Sequence, residues 1–238
     1  DEGVSYFQYR GFYGVSGFDT GDIDDVNNGH KLPFATVLTC GTGSFAQEST
    51  CLSEKFLRAG SASNPRGAIA AVCTATGNTH TMFNNIIAMG IYDGLFPKNL
   101  GTAGAALANG KLTLFSAYPT NPYHWVDAFT QWNSLMGDPA THLWTDTPTV
   151  LSVIHPLVLS FGTNFVDMAV YDQDENPIED AMITLLMGDD IIFTSGYTDE
   201  AGLLTMNLDY VSNGTISITV TKQNCKPYEN TIILHSDG

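Results

Sequence analysis

Cys40 is the residue whose position in this sequence most directly suggests chemistry. It follows the apolar run Phe34–Thr39 and precedes the glycine-rich segment Gly41–Ser44. An apolar run of this length, bounded by a proline and a glycine-rich turn, is typical of a buried strand. A thiol at the carboxyl end of such a strand lies where open α/β sheets place their reactive groups. Cys40 is therefore a candidate nucleophile; the alternative is a small buried residue that closes the strand.

A nucleophilic cysteine needs a base, because a free thiol titrates at about 8.5. His80 lies in a polar loop just before a helical pattern, and we expect it to be that base. The alternative is a histidine at a helix start that bonds only to its neighbours. The backbone amides of Gly41 and Gly43 are candidates for an oxyanion hole.

Three apolar runs predict the strands that position these groups. The runs are Val4–Tyr9, Phe34–Thr39 and Gly67–Ala75. They alternate with helical patterns, which indicates a parallel α/β sheet whose strand ends meet at one edge. The side chains that we expect on this shared rim are Arg10, Phe12, Tyr13, Cys40 and His80.

The pattern changes near residue 147, so we predict an α/β domain over residues 1–147 and a second domain over 148–238. The helical patterns of the first domain cover Asp22–Asn28, Cys51–Arg58, Met82–Leu95 and residues 101–115 and 123–135. The second domain alternates apolar and polar residues with period two, as in Phe165–Tyr171, Ala181–Leu186 and Thr215–Thr221. Short strands at this spacing predict an antiparallel sandwich of immunoglobulin-like size.

Composition narrows the classes of function. The 238 residues carry 25 acidic and 9 basic side chains, a formal charge of -16. Nucleic acids and anionic membrane surfaces both attract a basic face, so we expect neither as a partner. No apolar run approaches the roughly 18 residues of a membrane span. The four cysteines have neither zinc-finger spacing nor the density of a disulfide scaffold.

A cluster of acidic residues suggests a second site. It includes Asp19, Asp22 and Asp24, whose oxygens are the ligands that calcium prefers. The spacing is not that of an EF-hand, and acids at a helix start are ordinary. We expect no required cofactor, with a structural calcium ion as the alternative at these residues.

Several segments together resemble the gingipain-type cysteine peptidases, extracellular bacterial relatives of the caspases. The resemblance rests on Cys40-Gly-Thr-Gly-Ser-Phe45, Cys51-Leu-Ser-Glu54, Gly67-Ala-Ile-Ala-Ala71, Tyr92-Asp-Gly-Leu-Phe96 and Gly137-Asp-Pro139. It implies that Cys40 is the nucleophile, that the substrate is a peptide or protein, and that the protein is secreted or lies on the cell surface. The fold that it implies is a caspase-like parallel sheet flanked by helices, followed by an immunoglobulin-like sandwich.

The sequence departs from this family at the catalytic histidine. The family motif is aromatic-x-Gly-His-Gly, whereas the matching segment here is Tyr9-Arg-Gly-Phe-Tyr-Gly14. Neither Phe12 nor Tyr13 replaces imidazole as a base, since one has no titratable proton and the other titrates near 10. Either His80 supplies the base, or the catalytic pair is lost. Gly11, in the same segment, is a further candidate oxyanion donor.

The family resemblance also implies further strands before Val4, so the sheet is incomplete at its N-terminal side. We expect that Asp1 follows either a processing cut or a boundary chosen when the chain was produced, and that the preceding segment pairs with this chain as a second polypeptide. The sequence thus predicts a secreted cysteine endopeptidase with Cys40 and His80 as its catalytic residues. The alternative is a catalytically silent, peptidase-derived scaffold or binding or adhesion module.

Overall fold

The computed structural model describes residues 3–47, 49–160, 162–188, 191–208 and 213–235. The chain divides into two compact units, Asp1–Thr145 and Asp146–Gly238. This division lies two residues before the predicted one. Each unit has hydrophobic core of its own.

The first unit combines short strands with helices. Its strands are β1 (Tyr6–Tyr9), β2 (Phe34–Val37), β3 (Gly60–Ser61), β4 (Asn64–Pro65), β5 (Ala70–Thr74) and β6 (Asn133–Met136). Its helices are α1 (Thr20–Asp25), α2 (Leu52–Arg58), α3 (Thr81–Leu95), α4 (Ala103–Ala117) and α5 (Trp125–Trp132), with a 3-10 turn at Pro122–His124.

The main sheet of this unit has the strand order β1-β2-β5-β6. Strands β1, β2 and β5 are parallel, with Tyr9 opposite Val37 and Val37 opposite Cys73. The prediction of three parallel strands is confirmed. The prediction of a helix over residues 123–135 is wrong at its end, because β6 pairs antiparallel with β5. Pairing with the edge of β5 satisfies backbone groups there, and this tertiary interaction outweighs local helical preference.

Side chains alternate between the two faces of this sheet, as the period of a strand requires. Phe34 and Val72 pack with α3, α4 and α5 on one face. Val37 and Cys73 pack with Phe56 of α2 on the other face. Both faces are therefore covered by helices, which is typical of a parallel sheet. None of the helices in the part of the chain that the structure describes has the length and apolarity needed to cross a membrane.

The second unit consists of strands in its described part. They are β7 (Thr149–Val150), β8 (Ser152–Ile154), β9 (Val158–Ser160), β10 (Phe165–Tyr171), β11 (Met182–Met187), β12 (Ile192–Tyr197), β13 (Leu203–Asn207), β14 (Gly214–Thr221), β15 (Cys225–Lys226) and β16 (Tyr228–His235). One sheet has the order β13-β10-β8 and a second has the order β12-β11-β14-β16-β9. Inward side chains of both sheets, among them Val170, Ile183 and Ile218, share one core. Burial alternates along β10 and β14, as the period-two pattern predicts.

Candidate active site

Three loops meet at the carboxyl ends of β1, β2 and β5. Tyr13 and Cys40 form a parallel bridge, and the Gly14 amide donates to the Cys40 carbonyl at 3.0 Å. The Gly41 amide donates to the Thr76 carbonyl at 2.8 Å. These backbone hydrogen bonds tie the loops together, and the predicted convergence of the three loops is confirmed.

The Cys40 thiol lies beneath this rim and pairs with a hydroxyl group. The residue is buried, with 6% of its surface exposed. Its Sγ atom is 2.8 Å from Oγ1 of Thr79. Thr79 is half-buried and lies in the third loop, one residue before His80. All four cysteines are free thiols.

Thr79 connects the thiol to a buried polar chain inside the first unit. The Asn84 side-chain amide donates to Thr79 Oγ1 at 3.4 Å and to the Leu38 carbonyl at 3.2 Å. Asn133 Nδ2 donates to Asn84 Oδ1 at 3.2 Å. The Thr74 hydroxyl donates to Asn133 Oδ1 at 2.9 Å. Asn84, Asn133 and Thr74 are almost completely buried, so this series of hydrogen-bonded side chains lies away from water.

His80 caps a helix instead of pairing with the thiol. It is the N-cap residue of α3, and its Nδ1 atom accepts a hydrogen bond from the Met82 amide at 3.2 Å. Among the described residues of the three loops, no hydrogen bond joins His80 to Cys40. The structure therefore does not pair the two residues directly, and the role of His80 as the base for Cys40 stays a prediction. A neutral imidazole that accepts at Nδ1 carries its proton on Nε2, so the lone pair that a base would use is engaged.

Arg10 is the cation of this site, and it links the ends of β1 and β2 to the start of α3. Its guanidinium donates to the carbonyls of Leu38 and Thr81 and to Oδ1 of Asn85, the last at 2.7 Å. Burial lowers the pKa of Arg10, and the neighbouring Cys40 opposes that effect. An arginine stays protonated in proteins. A fixed positive charge therefore lies near the thiol.

Two of the remaining predictions for the rim concern exposed aromatic residues, and two concern backbone amides. Phe12 and Tyr13 lie on the rim and are exposed, at 82% and 64%. The Gly41 amide bonds to Thr76 and the Gly43 amide bonds to the Thr74 carbonyl at 2.9 Å. The prediction that these two amides are free for an oxyanion is wrong, because the neighbouring strand end already accepts their hydrogens.

Gly11 is crowded by the strand that precedes it. A Cβ atom at this position would lie 2.6 Å from the Tyr9 ring, and the Tyr9 hydroxyl in turn accepts from the Ser16 amide at 3.0 Å. Close packing of the loop on Tyr9 therefore requires glycine here. Its role as an oxyanion donor stays a prediction.

The acidic cluster has partners within the chain. Asp19 and Asp22 form a reciprocal capping box at the start of α1, and Asp24 pairs with Lys55 at 2.6 Å. Within the described ranges, no group of three or more His, Cys, Asp or Glu side chains could hold a metal ion. Helix capping and one ion pair explain why acids concentrate at these residues.

The parallel sheet, with a thiol just after the end of β2, defines an α/β protein whose candidate nucleophile lies at a strand end. The profile of peptidase family C25 matches residues 1–144. The chain belongs to that family.

Curated relatives of the chain include two proteins of Porphyromonas gingivalis. Gingipain R2 is 24% identical over 93% of this chain and 30% of its own length. Gingipain R1 is 25% identical over 97% of this chain and 23% of its own length. The chain therefore spans less than a third of either relative.

Solved structures agree with this fold. The Arg-specific cysteine proteinase gingipain R (RgpB) superposes with a TM-score of 0.81 at 20% identity, over 98% of this chain and 54% of that one. The complex of Porphyromonas gingivalis RgpB pro- and mature domains gives 0.82 at 21% identity, over 98% and 55%. The likeness covers both units of the chain.

Proposed function

We propose that this chain carries the nucleophile of a cysteine endopeptidase, and that the nucleophile is Cys40. One observation carries the proposal: in a member of peptidase family C25, a thiol lies at the carboxyl end of β2 with a hydroxyl and a guanidinium beside it. Strand ends of a parallel sheet are where such folds place their chemistry. A cationic neighbour favours the thiolate, which is the reactive form.

The reaction that we propose is acyl transfer through a thioester. The Cys40 thiolate attacks the peptide carbonyl carbon and forms a C–S bond, and the peptide C–N bond then breaks as the amine takes up a proton. Water hydrolyses the thioester and releases the carboxylate product. In this proposal His80 moves the protons, and its ring must leave the Met82 amide to do so. The backbone amide of Gly11 is the proposed donor to the oxyanion.

The test uses matched variants of the native protein on peptides with Arg, Lys or Ala before the cleaved bond. Cys40→Ala should abolish cleavage. His80→Asn should abolish it too, while its amide oxygen keeps the cap on α3 and leaves the melting temperature unchanged, since asparagine is a good N-cap residue. Full cleavage by Cys40→Ala would overturn the proposal, and full cleavage by His80→Asn would remove His80 from the mechanism.

A second candidate is a catalytically silent scaffold or binding or adhesion module derived from a peptidase. The position of His80 on the α3 cap, with Nδ1 engaged at 3.2 Å, favours it. A silent protein retains the fold and loses turnover. Two kinds of silent protein can be told apart with a peptidyl chloromethyl ketone. If the wild-type protein cleaves none of these peptides but Cys40 still reacts with this reagent, the thiol is reactive and the catalytic group is incomplete. If Cys40 does not react either, the thiol is buried and inert.

The proposed location is secreted or on the cell surface, and the proposed partner is the N-terminal segment of the same precursor. Strand β1 ends the main sheet and pairs with β2, which leaves an edge where further strands would add. A cavity of about 910 Å³ lies beside β1 and is lined in part by Phe7, Phe18 and Phe56. Mass spectrometry of the native assembly tests this partner, which should co-purify as a second chain.

The second unit has the strand content proposed for an immunoglobulin-like domain. Two sheets share one core, and the larger sheet contains β11, β14 and β16. Such a domain would support the catalytic unit or bind a partner. A structural calcium ion at Asp19, Asp22 and Asp24, proposed only for the alternative, adhesive function, would require these carboxylates to leave their capping and ion-pair contacts. A calcium-dependent melting temperature would support it.

A further inference from the structure

The hydrogen-bond directions in the buried chain behind Cys40 are fixed by backbone carbonyls. Asn133 donates through Nδ2 to the Phe129 carbonyl at 2.9 Å, so its Oδ1 must be the atom that accepts from Thr74. The same Nδ2 then donates to Asn84 Oδ1. A carbonyl oxygen cannot donate, so each amide has one orientation that satisfies its neighbours.

The orientation of Asn84 sets the hydroxyl of Thr79. Because Asn84 Oδ1 accepts from Asn133, its Nδ2 must donate, and it does so to the Leu38 carbonyl and to Thr79 Oγ1. The Thr79 oxygen thus already accepts one hydrogen. Its own hydrogen is then available for Cys40 Sγ at 2.8 Å, a contact in which either atom could be the donor and in which a thiolate can only accept.

We propose that Thr79 stabilises the Cys40 thiolate by donating its hydroxyl hydrogen to Sγ, and that Asn84 and Asn133 are positioning residues that hold this hydroxyl in place. The inference rests on the proposed function, in which that thiolate is the nucleophile. Hydrogen bonds to charged groups are stronger than those to neutral ones, so the contact favours the thiolate over the thiol.

This arrangement differs from a thiol–imidazole pair in its response to pH. A hydroxyl does not titrate in the working range, whereas an imidazole loses its basic form below about 6.5. The titratable side chains of the three loops around the thiol are Arg10, Tyr13 and His80. Arg10 keeps its charge across this range, so neither it nor the Thr79 hydroxyl makes the thiolate depend on a second titration.

The test is the pH profile of Cys40 alkylation by iodoacetamide in the native protein, read by mass spectrometry. Thr79→Val removes the donor at nearly constant shape, and Thr79→Ser restores it. We expect the midpoint of the profile to rise by about one pH unit in Thr79→Val and to stay at the wild-type value in Thr79→Ser. At pH 7 the alkylation rate should fall about threefold, because about tenfold less thiolate is partly offset by its higher intrinsic reactivity.

Thr76→Val is the matched control, since the Thr76 hydroxyl accepts from the Asn78 amide within the same loop. Its midpoint should not move. Asn84→Ala is a second variant, which keeps the Thr79 hydroxyl but removes the side chain that orients it. We expect the midpoint of its alkylation profile to rise by part of the Thr79→Val shift. Unchanged midpoints in both Thr79→Val and Asn84→Ala would overturn the inference, as would an equal rise in Thr76→Val.

Peptide cleavage separates this inference from the proposed function. If wild-type protein cleaves peptides and Thr79→Val shows no shift, the inference alone fails. If the shift is present and no peptide is cleaved, the thiolate contact stands and the endopeptidase function fails.

Discussion

Replacing Arg10 with leucine would remove the guanidinium that joins the ends of β1 and β2 to the start of α3. Three hydrogen bonds to a charged donor, at about 1.5–3 kcal/mol each, would suggest a loss of roughly 5–9 kcal/mol. The acceptors reduce this figure. The Leu38 carbonyl keeps its hydrogen bond from Asn84, the Thr81 carbonyl lies in the first turn of α3 where it has a helical donor, and Asn85 is exposed to water.

No acceptor of Arg10 is therefore left buried without a donor. The expected loss is the net value of three ordinary hydrogen bonds, about 2–3 kcal/mol. Unfolding in urea followed by tryptophan fluorescence measures it, because Trp125, Trp132 and Trp144 all lie in the first unit. A slope of about 2–3 kcal/mol per molar urea converts the loss into a midpoint lowered by about 1 M.

Two further variants make this measurement decisive. Arg58→Leu removes the same charge from an exposed position at the end of α2 and should change stability by less than about 0.5 kcal/mol. Arg10→Lys keeps the charge and loses the planar fork, so its loss should be intermediate. If Arg10→Leu unfolds at the same urea concentration as Arg58→Leu, the guanidinium does not hold the strand ends and the start of α3 together.

Three other measurements test local features of the first unit. Asp19→Ala should cost about 1 kcal/mol through loss of the α1 cap, whereas Asp19→Asn should cost a few tenths, and added calcium should shift the melting temperature of neither. Gly67→Ala should cost more than about 2 kcal/mol, because its φ is +84° and a Cβ would strike the Phe56 carbonyl. Gly17→Ala, at φ +73° with nothing within 4 Å, should cost about 1 kcal/mol. Burial raises the pKa of Cys73 to about 12. The Cys73 thiol should therefore resist iodoacetamide at pH 10. The contribution of the neutral Cys73 thiol to the free energy of unfolding should be complete below about pH 9 and lost as pH rises toward 12. The Cys73→Ala variant should not show this pH-dependent loss.

The sequence predicts the parallel part of the sheet well because two of its three strands, β2 and β5, are buried apolar runs. Phe34–Val37 and Ala70–Thr74 are buried at every position, so burial on both faces is visible as unbroken hydrophobicity. Strand β6 gives no such signal. Only Asn133 of its residues is buried, and the preceding aromatic residues belong to α5, so the strand is defined by its pairing with β5 rather than by its own pattern.

The candidate site was predictable to the level of its loops but not of its hydrogen bonds. The strand-end rule places Arg10, Cys40 and His80 on one rim, and it says nothing about which side chain reaches the thiol. Asn84 and Asn133 are 49 positions apart, and their contact depends on how α3 packs against β6. One signal was available: Asn84 interrupts the apolar stripe of α3, and a buried amide on such a stripe needs partners.

Phe12 and Tyr13 stand where the family motif has its histidine, so the site lacks an imidazole at that position. This limits the reaction steps that the thiol and its present neighbours support. In our proposal a hydroxyl at 2.8 Å and a nearby guanidinium stabilise a thiolate, but neither gives a proton to a departing amine near neutral pH. Amide cleavage needs that proton, whereas a p-nitrophenyl ester releases p-nitrophenolate, which is a stable anion and needs no proton to leave. We therefore expect His80→Asn to lose peptide cleavage while it retains acylation by the ester, seen as a burst of one p-nitrophenolate per Cys40, and Cys40→Ala to lose both. Equal loss of ester and peptide cleavage in His80→Asn would mean that the imidazole forms the thiolate itself, and that the hydroxyl and the guanidinium do not suffice for that step.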